Sequence, residues 1–367
     1  MKRISRWVVL GLMLALLVPL FSTQAQSDLD EVLQEVLESV FDSTGPAAVL
    51  QITTPEGTWS ATTGRIDTQA DTPPTLESRF RIGSISKTFV AVVALQLVEE
   101  GVITLDDPIN MWLPDELVEN VANAEIATIR QLLSMRSGIP EYLEQEFLEA
   151  VLDDPQHVWT APEALTYAYD KEAYFEPDTA FLYTNTNYVL MQLVLEAAAG
   201  EPLNVLVRER ILDPLALENT YTQIQEDLPD GIVHGYADVD GSGELVDVRD
   251  YNDGAGLGDG ALVSTTGDLS RFYQALLQDR TLLSEESMLA LLDFQDTGEG
   301  DGYSLGLNNY QTPWGTALGH PGGVLGFSSI ALYLPDQEII VVGLFATDAT
   351  DLLGIVTNTL TAVLGEA

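Results

Sequence analysis

The sequence predicts an α+β protein in which helices flank both faces of an antiparallel sheet. Two strand-like segments near the start, residues 47–53 and 58–62, are joined by a Pro-Glu-Gly turn, and further strand-like segments follow only after residue 300. Between them, residues 104–260 carry short helical patterns that prolines interrupt. Because the sheet draws strands from both ends of the chain, we expect this middle segment to form an inserted, mostly helical lobe.

The remaining elements follow from apolar spacing and from residues typical of helix or strand ends. Helices are predicted at residues 29–41 (beginning near Ser27 or Asp28), 84–99, 127–134, 186–199, 262–277, 284–292 (with Ser284 as its N-cap) and 350–364. Strands are predicted at residues 303–310, 317–320, 328–334 and 339–345, with a tight turn at 334–338.

The first 25 residues have the pattern of a secretory signal peptide. Basic residues at positions 2, 3 and 6 precede an apolar run from Trp7 to Phe21, and Thr23-Gln24-Ala25 follows with small residues at its first and last positions. The run is shorter than the roughly 20 residues that span a bilayer, so we expect cleavage after about Ala25, export, and no stable membrane anchor. The chain has no cysteine, so its stability depends on an ordinary core without disulfides.

Residues 26–367 show neither a flexible linker nor a fixed repeat, so we expect one unit with two interlocked lobes. The predicted α/β lobe comprises about residues 26–103 and 261–367, and the helical lobe comprises about residues 104–260.

The chain is strongly acidic, with a formal net charge of −42. Removal of residues 1–25 takes away three basic residues and no acidic one, which changes this charge to −45. Such a field repels nucleic acid and anionic lipid, so neither is an expected partner. A highly solvated surface suited to high salt explains the charge, and a cation-binding surface is the functional alternative.

A Gly-Ser pair at the start of the apolar helix is the first candidate for chemistry. Lys87 follows Ser84 by three residues and so lies on the same helical face, within reach of the hydroxyl. A serine with an adjacent amine is a nucleophile with its activator, and a helix N-terminus favours developing negative charge. Taken alone, the pattern also fits a chance S-x-x-K in which Ser84 only caps the helix.

Three separated motifs together resemble the serine β-lactamase-like superfamily, in the branch of class C β-lactamases, DD-peptidases and related esterases. They are Ser84-Ile-Ser-Lys87, Tyr183-Thr-Asn185 and His320-Pro-Gly322. Residues 131–142 and 260–270 also match recurrent family segments, and the resemblance covers about residues 30–364. It implies a β-lactamase/transpeptidase-like fold and no metal or organic cofactor.

The resemblance also implies a role for each motif residue. Ser84 is expected to form an acyl-enzyme, while Lys87 and Tyr183 share its proton in an order that the sequence leaves open. Asn185 is expected to orient lysine and substrate. The backbone N–H groups of Ser84 and Gly323 are expected to form the oxyanion hole, where each donor is worth on the order of 3 kcal/mol.

The third motif carries a departure from the family pattern. His320 and Gly322 are expected to bind or orient substrate, and the charge of His320 is expected to depend on pH near neutrality. Pro321 replaces a family threonine or serine whose hydroxyl helps hold a substrate carboxylate. The departure favours hydrolysis of esters or amides over recognition of a β-lactam. In isolation, Tyr183 would be a buried aromatic, Asn185 an N-cap and His320 a turn residue.

Other candidate sites are weaker. Residues 238–249 begin like a calcium loop, but Arg249 stands where the bidentate glutamate belongs, so we expect a hairpin turn. His157 and His234 lack partners at metal-ligand spacing and are expected to be structural. The glycine-rich segment 254–260 lacks the features of a phosphate loop, and in the family such a segment borders the active site.

The sequence therefore predicts an exported serine hydrolase of a small ester, amide or D-amino-acid peptide. One alternative is a penicillin-binding DD-carboxypeptidase or a class C-like β-lactamase. Another is a non-catalytic protein of the same fold that binds cell-wall fragments. The expected partner is a small-molecule or peptide substrate, cell-wall fragments included, and the sequence leaves the oligomeric state open.

Overall fold

The computed structural model describes residues 23–229, 231–298, 300–348 and 350–366, so most of the predicted signal peptide, residues 1–22, lies outside the described residues. The strands of the described residues are β1 (Ala48–Thr54), β2 (Gly57–Thr63), β3 (Phe80–Arg81), β4 (Tyr221–Thr222), β5 (Tyr236–Ala237), β6 (Val246–Asp247), β7 (Leu262–Ser264), β8 (Gln295–Asp296), β9 (Gly302–Tyr303), β10 (Asn308–Thr312), β11 (Gly315–Val324), β12 (Phe327–Leu334) and β13 (Ile339–Phe345). The α-helices are α1 (Thr23–Glu38), α2 (Ser86–Glu99), α3 (Asp115–Asn120), α4 (Ile129–Leu133), α5 (Gln145–Asp153), α6 (Ala161–Leu165), α7 (Thr186–Ala199), α8 (Leu203–Val207), α9 (Thr266–Tyr273), α10 (Glu285–Leu291) and α11 (Leu352–Leu364).

The largest sheet has eight antiparallel strands in the order β2-β1-β13-β12-β11-β10-β9-β8. The hairpin β1–β2 comes from the start of the chain, and the other six strands come from its last quarter. The two parts meet where Ala48 of β1 pairs with Phe345 of β13. This arrangement confirms the predicted antiparallel sheet built from both ends of the chain.

Helices cover both faces of this sheet, as the alternation of its apolar residues requires. On one face, Leu33 of α1 and Ile355 of α11 pack in a cluster with Ile52 of β1. On the other face, Leu344 of β13 belongs to a separate, larger cluster that includes Leu269 of α9. The fold class predicted from the sequence is therefore correct.

Helix α2 runs through the larger of the two cores. Nearly all of its side chains are buried, which is the pattern of a helix that is apolar all round. Phe89 stacks on Phe272 of α9 with ring centroids 3.7 Å apart. This packing fixes the start of α2, and with it the turn that holds Ser84, relative to the sheet.

Three predicted elements differ from the structure. Helix α1 already includes Thr23, the first described residue, so it extends further toward the N-terminus than expected. Leu262–Ser264 is a strand, not the start of a helix, because it pairs with both β3 and β4 in a three-stranded sheet. The predicted strand at 303–310 is interrupted, because the N–H of Gly306 donates to the carbonyl of Leu133 on α4 instead of to a neighbouring strand.

Across the described ranges, no single helix is both long and apolar enough to cross a membrane. One bent pair, Thr186–Ala199 with Leu203–Leu212, passes on length and composition at an angle of 80°. Most side chains of the first helix in this pair are buried in the core.

Candidate active site

Ser84 lies in a 3₁₀ turn, Gly83–Ile85, that leads directly into α2. Gly83 has a φ of +51°, and a Cβ at this position would lie 2.8 Å from the backbone nitrogen of Gly323 on β11. Glycine is required here both by its conformation and by this close approach. The turn is therefore pressed against β11, and Ser84 faces the space between α2 and that strand.

Lys87 is completely buried one turn after Ser84. Its Nζ makes three hydrogen bonds, to Ser84 Oγ at 2.9 Å, to Asn185 Oδ1 at 2.8 Å and to the carbonyl oxygen of Asp259 at 2.8 Å. Both charge states fit three contacts. An ammonium donates to all three, whereas a neutral amine donates to Asn185 and Asp259 and accepts the proton of Ser84.

Burial lowers the pKa of Lys87 to about 8, because desolvation penalises the ammonium more than the carboxylates of Asp259 and Glu141 stabilise it. A lysine with this pKa is partly neutral at physiological pH. Its free lone pair can then accept the proton of Ser84, which an ordinary exposed lysine cannot do to a useful extent.

Asn185 is held in place by Glu141. Its backbone N–H and its Nδ2 both donate to Glu141 Oε2, at 2.7 and 3.1 Å. This leaves Oδ1 turned toward Lys87. Asn185 occupies the N-cap position of α7, yet its side chain makes no capping hydrogen bond. The side chain therefore serves the lysine instead of the helix terminus.

Tyr183 lies beside Lys87, whose Nζ is 5.1 Å from the centroid of the phenol ring. Its Oη is buried and makes no hydrogen bond of normal geometry within the described part of the chain. Burial raises the pKa of the phenol well above its usual value, and the nearby Ser84 hydroxyl only partly offsets this effect. Tyr183 is therefore a neutral phenol at any pH near neutrality.

His320 is buried on β11 and is also neutral. Its Nδ1 faces the carbonyl of Pro321, and its Nε2 lies 3.3 Å from Tyr303 Oη. Desolvation lowers the pKa of His320 to about 3, against the favourable hydrogen bond to Pro321. The expectation that this side chain changes charge near neutrality is wrong, because the sequence did not show how deeply the strand is buried.

The two glycines after Pro321 differ in their surroundings. A Cβ on Gly322 would lie 2.1 Å from the carbonyl oxygen of Ile82, whereas a Cβ on Gly323 would meet nothing within 4 Å. Gly322 lets β11 approach the turn that carries Ser84. Gly323 is exposed and lines the same cavity as Ser84, which is the position expected of an oxyanion-hole residue.

This cavity has a volume of about 120 Å³, and its wall includes the acidic residues Asp253 and Asp259. Asp259 is buried, and its Oδ2 accepts a hydrogen bond from Tyr142 at 3.0 Å. Burial raises the pKa of Asp259 to about 6. Asp253 pairs with Arg81, and both side chains are more than nine-tenths buried. The wall thus carries two carboxylates and one arginine that is already paired.

Comparison with known proteins places this site in a family. The family model described as Beta-lactamase matches residues 30–366. The chain belongs to the β-lactamase family of serine hydrolases. The resemblance drawn from the three motifs is therefore confirmed.

The similar proteins include several hydrolases. The β-lactamase-family chain is 29% identical to Penicillin-binding protein 4* of Bacillus subtilis over 73% of its own length and 61% of the relative's. It is 26% identical to the D-aminopeptidase of Brucella anthropi, over 77% and 52%. It thus spans between half and two thirds of the length of these two curated relatives.

A solved structure covers the chain more fully. The D-stereospecific amidohydrolase from Streptomyces sp. is 30% identical, with a TM-score of 0.81, and the alignment covers 93% of this chain and 99% of that one. The fold of this β-lactamase-family chain therefore matches that of the amidohydrolase along nearly the whole of both chains.

The structure brings together the predicted site residues and adds others. Ser84, Lys87 and Asn185 are in direct contact, Tyr183 stands beside them, and Gly323 lines the cavity. The structure additionally places Glu141 and Asp259 at the lysine, which the sequence analysis did not single out. Both lie in segments that had been matched to the family or placed at the border of its active site, so their position along the chain was a usable signal.

The weaker candidates from the sequence analysis lie in a hairpin or next to a carboxylate side chain. Residues 238–249 lie at the β5–β6 hairpin, as predicted. His157 Nε2 lies 2.8 Å from Glu163, and His234 Nδ1 lies 3.0 Å from Asp247. In the described ranges, no group of three or more His, Asp or Glu side chains is placed to hold a metal ion.

Proposed function

We propose that this protein hydrolyses small amides, esters or peptides of D-amino acids through an acyl-enzyme on Ser84. The observation that carries the proposal is the buried Lys87, whose Nζ contacts Ser84 Oγ at 2.9 Å and whose pKa of about 8 keeps a fraction of the amine neutral. A non-catalytic binding protein has no need of this arrangement.

In the proposed reaction, neutral Lys87 takes the proton of Ser84 while Oγ attacks the substrate carbonyl. The N–H groups of Ser84 and Gly323 stabilise the oxyanion of the tetrahedral intermediate. Tyr183, a neutral phenol, donates its proton to the leaving amine or alcohol, and Lys87 returns a proton to the phenolate. Water then hydrolyses the acyl-enzyme with the same groups acting in reverse order.

Two features support D-amino-acid derivatives as the substrate class. The names of similar proteins, a D-stereospecific amidohydrolase and a D-aminopeptidase, point to amides and peptides of D-amino acids. In addition, Asp259 lines the cavity beside the Asp253–Arg81 ion pair, so a substrate ammonium has a carboxylate there to contact. Pro321 offers neither a hydroxyl nor an N–H to a carboxylate.

We also propose that the protein is exported after cleavage near Ala25.

The test exposes the protein, without residues 1–25, to D- and L-phenylalanine amide, p-nitrophenyl acetate and a fluorescent penicillin. Mass spectrometry follows the acyl adduct in the wild type and in Ser84→Ala. We expect turnover of the D-amide and the ester, preference for the D-enantiomer, and neither turnover nor adduct in Ser84→Ala.

Other results would point elsewhere. A long-lived penicillin adduct without amide turnover would favour a DD-carboxypeptidase, and rapid penicillin turnover would favour a β-lactamase. The absence of any adduct or turnover in the wild type would contradict the enzyme assignment and favour a binding protein.

A further inference from the structure

A second cavity adjoins the catalytic one. It has a volume of about 430 Å³ and shares Arg81 and Ala255 with the cavity that contains Ser84. Side chains of three separate segments line it with apolar surface, among them Val158, Ile224 and Phe327. The proposed reaction at Ser84 makes no use of this space.

Asn252 places an unpaired hydrogen-bond donor at this cavity. The residue is 7% exposed and lines the cavity, and its Nδ2 has no partner among the described residues. Its Oδ1 accepts hydrogen bonds from the N–H groups of Gly254 and Ala255, at 3.1 and 2.8 Å. Exchanging the amide O and N would break both bonds, so the free atom is a donor. A buried donor without a partner is rare and calls for an acceptor from outside the chain.

Ile224 marks the rim of the same cavity. It has a φ of +65°, a conformation that β-branched residues adopt only under constraint. Its side chain is nonetheless 53% exposed, so burial of this apolar group does not offset the strain of the positive φ. The preceding residue, Gln223, accepts a hydrogen bond from Arg81 at 3.1 Å, which ties the rim to the wall of the catalytic cavity.

From this geometry we infer that the second cavity binds the far part of an extended substrate, namely an apolar side chain with a carbonyl oxygen that accepts from Asn252 Nδ2. The inference rests on the proposed function. Since the carboxylate of Asp259 in the catalytic cavity suits the amino end of the substrate's acyl part, the part that reaches the second cavity is the leaving group. The substrate class is thus a D-aminoacyl peptide with an apolar second residue.

Three substrates separate the two contacts. D-alanyl-D-leucine amide offers both an apolar side chain and a carbonyl. D-alanine isopentylamide has the same side chain but lacks the carboxamide, and D-alanylglycine amide has the carboxamide but lacks the side chain. In the wild type we expect kcat/KM for the leucine amide to exceed that of either comparison substrate about tenfold, mainly through a lower KM.

Two variants test the residues. Asn252→Asp keeps an acceptor for Gly254 and Ala255 but removes the donor, so the ratio of leucine amide to isopentylamide is expected to fall to about one. Val158→Trp fills the cavity from an exposed position, so the ratio of leucine amide to glycine amide is expected to fall instead. Leu148→Trp, a matched change on the exposed side of α5, is expected to keep both wild-type ratios.

Ratios near one in the wild type, or ratios that persist in both cavity variants, would overturn the inference. D-alanine p-nitroanilide separates this failure from failure of the proposed function. Its turnover, with an acyl adduct on Ser84, would show that the catalytic proposal holds while the second cavity plays no part. If neither turnover nor an adduct occurs with any of these substrates, both proposals fail.

Discussion

The catalytic cavity and the cavity that adjoins it differ in how their amine and amide side chains are paired. At the catalytic cavity, Lys87 makes three hydrogen bonds and Asn185 is fixed by Glu141. In the adjoining cavity, Asn252 retains a buried donor with no partner among the described residues. The difference indicates that the catalytic cavity is already organised for one reaction, whereas the adjoining cavity still lacks a binding partner.

The largest effect is expected from Lys87→Met, which removes the base beside Ser84. We expect kcat/KM on p-nitrophenyl acetate to fall roughly 10³–10⁴-fold. Methionine retains most of the aliphatic stem, so thermal unfolding should show a folded protein with a melting temperature near that of the wild type. A loss of activity smaller than tenfold would show that another group takes the proton of Ser84.

The contact between β11 and the turn that carries Ser84 is tested by a matched pair of glycine substitutions. Gly322→Ala places a methyl group against the carbonyl of Ile82, so we expect the free energy of unfolding to fall by about 3 kcal/mol. Gly323→Ala meets open space and is expected to change it by less than about 1 kcal/mol. Denaturant unfolding measures both. Equal stabilities would contradict the close approach of β11 to the turn that carries Ser84.

A smaller effect concerns the charge coupling between Lys87 and Asp259. Because the neutral amine of Lys87 is the base, kcat/KM should rise with pH through a midpoint near 8. The carboxylate of Asp259 stabilises the ammonium, so Asp259→Asn should lower this midpoint. Measurements of kcat/KM between pH 6 and 10 give this midpoint. Asp336→Asn, a change in an exposed turn, is the control. A midpoint that stays or rises would contradict this coupling.

The smallest effect concerns His320, whose imidazole is expected not to titrate near neutral pH. Since burial lowers the pKa of His320 to about 3, its ring should remain neutral from pH 5 to 9. The chain has only three histidines, so NMR spectra of the labelled imidazoles can follow this ring, with His320→Gln to assign its signals. A shift of the His320 signals within this range would show that solvent reaches the ring.

Short-range patterns predicted the fold well, and long-range contacts explain the differences. The apolar spacing of 186–199 gave α7 with its observed bounds, because such spacing reflects burial within one element. The predicted helix at 262–277 wrongly includes Leu262–Ser264, because a strand of three residues is too short to show a periodicity of its own. Its partners, β3 and β4, lie far away in the sequence.

The residues of the candidate site also divide into those that a short-range pattern predicts and those whose role depends on long-range contacts. The Ser84–Lys87 contact follows from helical geometry over three residues, so the sequence alone was sufficient to predict it. The neutrality of His320 depends on burial by several elements, which no local pattern reveals. The carboxylate of Asp259 and the unpaired amide of Asn252 likewise gain their significance only from residues that the fold brings near them.

The pairing of β1 with β13 has a consequence for how the protein forms. During synthesis, the hairpin β1–β2 emerges early, but its partner strand emerges only after almost all of the chain. Closing so long a loop is entropically costly, and contacts this distant in sequence slow folding. The edge of β1 must therefore wait unpaired while the intervening segments are made. We expect the nascent chain to be most prone to aggregation in this interval.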